Sequence, residues 1–100
     1  MNIHITSRKF RAKDTLKDLI NAELTSLERF SDDIMEASVI LSFIHQSNSV
    51  KNVEISIKLP GNSLHVTETG EEFTKLISIG VDKLSRQLKK LKSKRLAKKR

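Results

Sequence analysis

A chain of 100 residues without internal repetition has room for one small domain and a single core. It contains no cysteine, which excludes a disulfide framework and a thiolate metal site, and no run approaches the roughly 18 to 20 apolar residues of a membrane span. The net charge of +7 is uneven: residues 1–82 carry nine Lys and Arg against twelve acids, a net of −3, whereas residues 83–100 carry ten Lys and Arg and no acid.

In chain order, Ile3 and Ile5 alternate with His4 and Thr6, which predicts a short strand near residues 2–6. From Asp14, the apolar residues Leu16, Leu19, Ile20, Leu24, Leu27 and Phe30 recur at helical spacing, an amphipathic helix of about four turns. Asp14 can cap it, and Thr15 with Asp18 also fits a capping box. The segment MEASVILSFIH is apolar on both parities, as an interior strand is. After the turn residues QSNSVK, Val53, Ile55, Ile57 and Leu59 alternate with polar neighbours, and Pro60, Gly61 and Asn62 turn the chain into a further strand through Leu64 and Val66. Thr69 and Glu72 form a capping-box pattern opening a second helix, whose stripe runs Phe73, Leu76, Ile77, Gly80, Val81, Leu84, Leu88 and Leu91. Gly80 on that stripe suggests a close backbone approach, with the first helix as the expected neighbour.

The order β-α-β-β-β-α predicts a single α+β domain: a four-stranded mixed sheet, strands 1 and 2 parallel through a right-handed crossover, and two parallel helices on one face. Residues 1–95 would form the domain and residues 96–100 a basic tail. At about 1.5 Å per residue the helices measure on the order of 25 and 37 Å, so the basic end of the second should overhang the sheet.

That end reads DKLSRQLKKLKSKRLAKKR. It could be a solubilising tail, a membrane-surface helix or the working surface. The leucine stripe continues to Leu91, so its lysines and arginines are the outer face of a packed helix, and the apolar face that lipid would need is required to close the core. Basic charge concentrated in this way is the usual electrostatic footprint of a nucleic-acid or anionic-surface partner. Lys83, Arg86, Lys90 and Lys94 are spaced to form one ridge, with Lys89 and Lys92 flanking it and Arg95 following, and all seven are candidate phosphate contacts. Arg8, Lys9, Arg11 and Lys13, in the loop at the opposite end, form a possible second contact. The four phenylalanines occupy core-like positions and offer no stacking platform, so recognition of RNA shape and backbone is expected.

The opening NIHITSR, the TGEEF helix start and above all VDKLSRQLKKLKSK resemble the short ribosome hibernation promoting factors, the ribosome-associated inhibitor or sigma-54 modulation protein family. The resemblance spans essentially the whole chain, and Lys83, Arg86, Lys89, Lys90, Lys92 and Lys94 match its motif one by one. It implies a factor that binds the small ribosomal subunit and its rRNA in the decoding region and silences idle ribosomes. It also implies a short form, without the C-terminal domain of long members. The chain departs from the family at Glu72 to Ser78, where many members carry a DMYxAID-like run, and at Glu23 and Ser26, where relatives often have basic residues. A ribosome-assembly or general structured-RNA-binding protein would share every residue-level feature.

No glycine-rich phosphate loop, nucleophile elbow or triad signature occurs, so no catalytic residue, cofactor or small-molecule substrate is expected. His4 and His65 have outward parity on their strands and His45 ends another, with no carboxylate or thiol at ligand spacing, so no metal site is expected either. The start lacks the order of a secretory signal. A cytoplasmic protein without a membrane partner is the expectation.

Overall fold

Alternation in the strands and a 3.6-residue period in the helices place one apolar surface on each element, and the fold brings these surfaces together. The computed structural model describes residues 1–45 and 50–98, with side chains through residue 44 and from 50 to 93. The elements are β1 (Asn2–Ser7), α1 (Asp14–Thr25) continued by a 3₁₀ turn (Ser26–Arg29), β2 (Glu36–His45), β3 (Val50–Leu59), β4 (Asn62–Gly70) and α2 (Phe73–Lys98). The sheet order is β1-β2-β3-β4, with β1 parallel to β2 and the other pairs antiparallel. This is the α+β arrangement expected from the sequence.

Register explains the core. Ile5, Val39, Ile55 and Val66 face one another across all four strands, and Ile3, Ala37, Ile57 and Leu64 form the next row. Against them pack Ile20, Leu24 and Leu27 from the first helical segment and Ile77, Leu84 and Leu88 from α2, in one continuous core. The opposite sheet face carries His4, Ser38, Ser56 and His65 in one row and is polar. Both described histidine side chains are exposed, as their parity predicts. Between β3 and β4, Pro60 is followed by Gly61 at φ +71°, the sign that a type II turn requires after its proline.

Three local expectations are corrected. The capping pattern at Thr69 and Glu72 does not open α2, because Thr69 and Gly70 remain in β4, paired with Asn52 and Lys51. Continued strand pairing satisfies those backbone groups, and the first helical bond runs from Leu76 N–H to the Glu72 carbonyl at 3.1 Å. At α1, neither Asp14 nor Thr15 caps: Lys13 holds that position without a side-chain bond, and Asp14 lies in the first turn, where its charge suits the helix dipole. The helix tightens to 3₁₀ geometry at Ser26, whose hydroxyl donates to the Glu23 carbonyl at 2.6 Å.

The third correction concerns Gly80, which approaches the sheet rather than α1. A Cβ there would lie 2.9 Å from Ile55 Cδ1 and 3.4 Å from Val66 Cγ2. Ile55 is fully buried and has little room to yield. Gly80→Ala, which would gain about 1 kcal/mol in an exposed helix, is therefore expected to lower stability by up to about 1 kcal/mol, since overpacking offsets the propensity gain. Thermal denaturation checks this, and a raised Tm would contradict the packing argument.

With 26 residues, α2 is about 39 Å long, longer than the roughly 30 Å of the nine-residue β4 on which it lies. Burial fades along it, from Leu84 and Leu88 in the core to the half-buried Leu91 and the exposed Lys92 and Ser93. The molecule is accordingly elongated, 54 × 21 × 19 Å.

Candidate nucleic-acid interface

The basic residues of α2 follow one another at the helical steps expected from their spacing but meet different partners. On the flank facing β4, Lys83 Nζ lies 2.7 and 2.9 Å from the two carboxylate oxygens of Glu68. The Glu68 side chain is only 11% exposed, so much of the Lys83 charge is neutralised within the fold. Arg86 points outward and pairs with Asp82 one turn earlier at 2.9 Å. On the opposite flank, Lys89 Nζ sits 4.9 Å from the centre of the Phe30 ring, and Lys92 lines a cleft with Arg29 and Phe30. Lys90 is exposed. The side chains of Lys94 and Arg95 and the end of the tail lie outside the described residues. Arg86, Lys89, Lys90 and Lys92 thus present cations on two sides of a helix that is leaving the sheet.

At the other end of the molecule, Arg8, Lys9, Arg11 and Lys13 are all exposed. Their loop is shaped by aromatic packing. The Phe10 ring stacks on Phe73 at 5.4 Å and 7°, and meets the edge of Phe43 at 5.1 Å and 75°. The Arg8 N–H donates to the Leu41 carbonyl at 2.9 Å, continuing the sheet ladder. Between these two anchors Lys9 is held at φ +64°, a left-handed conformation that a lysine adopts at a cost of about 1–2 kcal/mol. Lys51 lies 5.6 and 5.7 Å from the centres of the Phe43 and Phe73 rings and donates to the Glu71 carbonyl at 2.7 Å.

Of the four phenylalanines expected at core positions, Phe73 lies in the core and Phe10 and Phe30 pack against it, so that only Phe43 departs from the expectation. Phe43 is 40% exposed and closes a satellite cluster at the sheet end, and Phe30 is only half-buried, beside the overhanging helix. Arg29 and Phe30 beside the overhanging helix, and Lys51 beside Phe43 and Phe73, are not marked by the spacing of the basic residues. The available signal was the stripe through Leu88 and Leu91, which outruns the strands and needs a partner such as Phe30. Between the two basic ends, residues 14–29 carry Asp14, Asp18, Glu23 and Glu28 against Lys17 and Arg29, an acidic balance. Among the described residues no three His, Asp or Glu gather as metal ligands, and no helix is long and apolar enough to cross a membrane.

A four-stranded mixed sheet under two helices, the second projecting as a basic arm, defines the class of protein. The chain belongs to the family described as Sigma 54 modulation protein / S30EA ribosomal protein, whose pattern it matches over residues 3–96. It is 28% identical over 97 residues to the ribosome hibernation promoting factor of Escherichia coli, covering 94% of this chain and 96% of that protein. It is 27% identical over 94 residues to the ribosome hibernation promotion factor of Bacillus subtilis, of which it spans about half, 50%. Among solved structures, the Thermus thermophilus Protein Y N-terminal domain is similar with a TM-score of 0.80 and 29% identity, over 91% of this chain and 99% of that one. A ribosomal subunit interface protein from Coxiella burnetii shares the fold, with a TM-score of 0.78 and 24% identity over 93% of this chain and 99% of that one.

Proposed function

We propose that this chain is a cytoplasmic ribosome hibernation factor that binds the small ribosomal subunit through rRNA phosphates and keeps idle ribosomes from translating, with the decoding region as its seat. The observation that carries the reading is the overhanging arm of α2. Ten Lys and Arg and no acid fall in residues 83–100, and from Leu84 to Ser93 the helix progressively leaves the core. Arg86, Lys89, Lys90 and Lys92, followed by Lys94 and Arg95, supply the phosphate contacts, and Lys83 fixes the arm to β4. The loop of Arg8, Lys9, Arg11 and Lys13 makes a second contact at the other end, its backbone held in place by the Phe10 cluster. Family membership and the names of the relatives support the ribosome as the partner.

Sedimentation with purified ribosomes tests it. If about five phosphates are engaged, raising monovalent salt from about 50 to 200 mM should weaken binding by on the order of a hundredfold or more, because counterion release scales with the phosphates neutralised. Affinity indifferent to salt would remove the arm as the main contact. In cell extracts the chain should ride on assembled ribosomes in stationary phase. Association with precursor subunits during growth would instead support an assembly role.

A further inference from the structure

Beside the end of β3, the overhanging part of α2 and the segment following the 3₁₀ turn enclose a cleft of about 200 Å³, lined by Arg29, Phe30, Asp32, Leu59, Leu91 and Lys92 among others. Its volume lies below the roughly 300–1,000 Å³ of sites for drug-sized molecules. It suits one fragment-sized group and not a helix or an extended peptide. Its lining is chemically divided. Leu59, Leu91 and Phe30 give buried or half-buried apolar walls, and Arg29 and Lys92 add two cations. Lys89, over the Phe30 ring, adds a third close by. Asp32 and Asp33, both exposed, add carboxylates, and the Asp33 N–H donates to the Ser31 hydroxyl at 3.2 Å, which leaves the Asp32 carboxylate as the one assigned to the occupant's edge.

We infer that this cleft takes one unpaired guanine nucleotide, its base between the apolar walls and its phosphate on Lys92 and Arg29. An unstacked nucleotide combines flat apolar faces, a hydrogen-bonding edge and an anion, and single-stranded RNA presents such bases splayed out for recognition. The carboxylate selects among them. It only accepts hydrogen bonds, and guanine offers adjacent N1–H and N2–H donors, whereas uracil offers one N–H flanked by two carbonyls that Asp32 would repel. Because the occupant comes from the RNA proposed above, the cleft and the arm act as one surface: the arm holds backbone and the cleft holds a base.

The full chain is titrated with guanosine monophosphate and, in parallel, with uridine monophosphate, and backbone amide shifts are followed by NMR at low salt. Shifts are expected at Phe30, Asp32, Leu91 and Lys92, with guanosine monophosphate bound about fivefold or more tighter, the lower end of what a base-edge contact discriminates. Asp32→Asn should remove that preference, and Lys92→Gln should weaken both nucleotides; both side chains are exposed, so folding is unaffected. Equal responses to both nucleotides and to inorganic phosphate would overturn the assignment. Ribosome sedimentation of the unmodified chain separates the two readings. A chain that sediments with ribosomes yet shows no guanine preference sinks the cleft alone, and one that does not sediment sinks the RNA reading with it.

Discussion

Arg86→Glu combined with Lys90→Glu is expected to reduce ribosome affinity by more than about a hundredfold while the domain folds normally. Each removed contact is a charge-assisted hydrogen bond of about 1.5 kcal/mol or more, so two give about 3 kcal/mol, and every 1.4 kcal/mol is tenfold. Reversal adds repulsion from the same phosphates, and the salt dependence should become shallower by about two log units per log unit. Folding has little at stake. The Arg86–Asp82 pair is exposed on both sides, 73% and 58%, and spans one helical turn, so it contributes no more than about 0.5 kcal/mol. Lys90 projects from the exposed face. The measurement is sedimentation with ribosomes beside thermal denaturation. Undiminished binding by a folded double variant would move the interface elsewhere on the molecule.

Helical spacing groups Lys83, Arg86 and Lys90, and only the fold separates Lys83, tied to Glu68, from the two outward residues. Spacing correctly set the helical face that closes the core, since Ile77, Leu84 and Leu88 are buried at the expected period. It could not reveal that Lys83 crosses to Glu68 or that Lys89 lies over Phe30, because both partners come from distant parts of the chain. The same limit explains Thr69. A capping box is a local pattern, and β3 outcompeted it with a pairing partner some 17 residues away, Asn52. Gly80 was recognised as a point of close approach, but a single stripe does not say whether helix or sheet fills the space. The left-handed Lys9 left no local trace, since glycine or asparagine would normally mark such a turn. Its conformation follows from Phe10 meeting Phe43 and Phe73.

Lys83→Glu should behave differently from the outward reversals, losing about 2 kcal/mol of stability along with part of its binding. Glu68 is the reason. Its carboxylate is largely removed from water and both oxygens accept from Lys83, so the substitution deletes charge-assisted hydrogen bonds and sets a second carboxylate against the first. Lys83 itself is 52% exposed, which keeps the loss below that of a fully buried pair. For a domain of this size about 2 kcal/mol corresponds to a fall in Tm of about 8–16 °C. The exchanged pair, Lys83→Glu with Glu68→Lys, restores opposite charges across the same gap and should recover most of that fall. It also tests the role assigned to Lys83. A lysine whose charge is already balanced by Glu68 adds little net field toward phosphate, so the exchanged pair should sediment with ribosomes nearly as the unmodified chain does. If it folds stably but loses binding as severely as Arg86→Glu with Lys90→Glu, then Lys83 must leave Glu68 to grip RNA, and the tether between α2 and β4 is itself broken in the bound state.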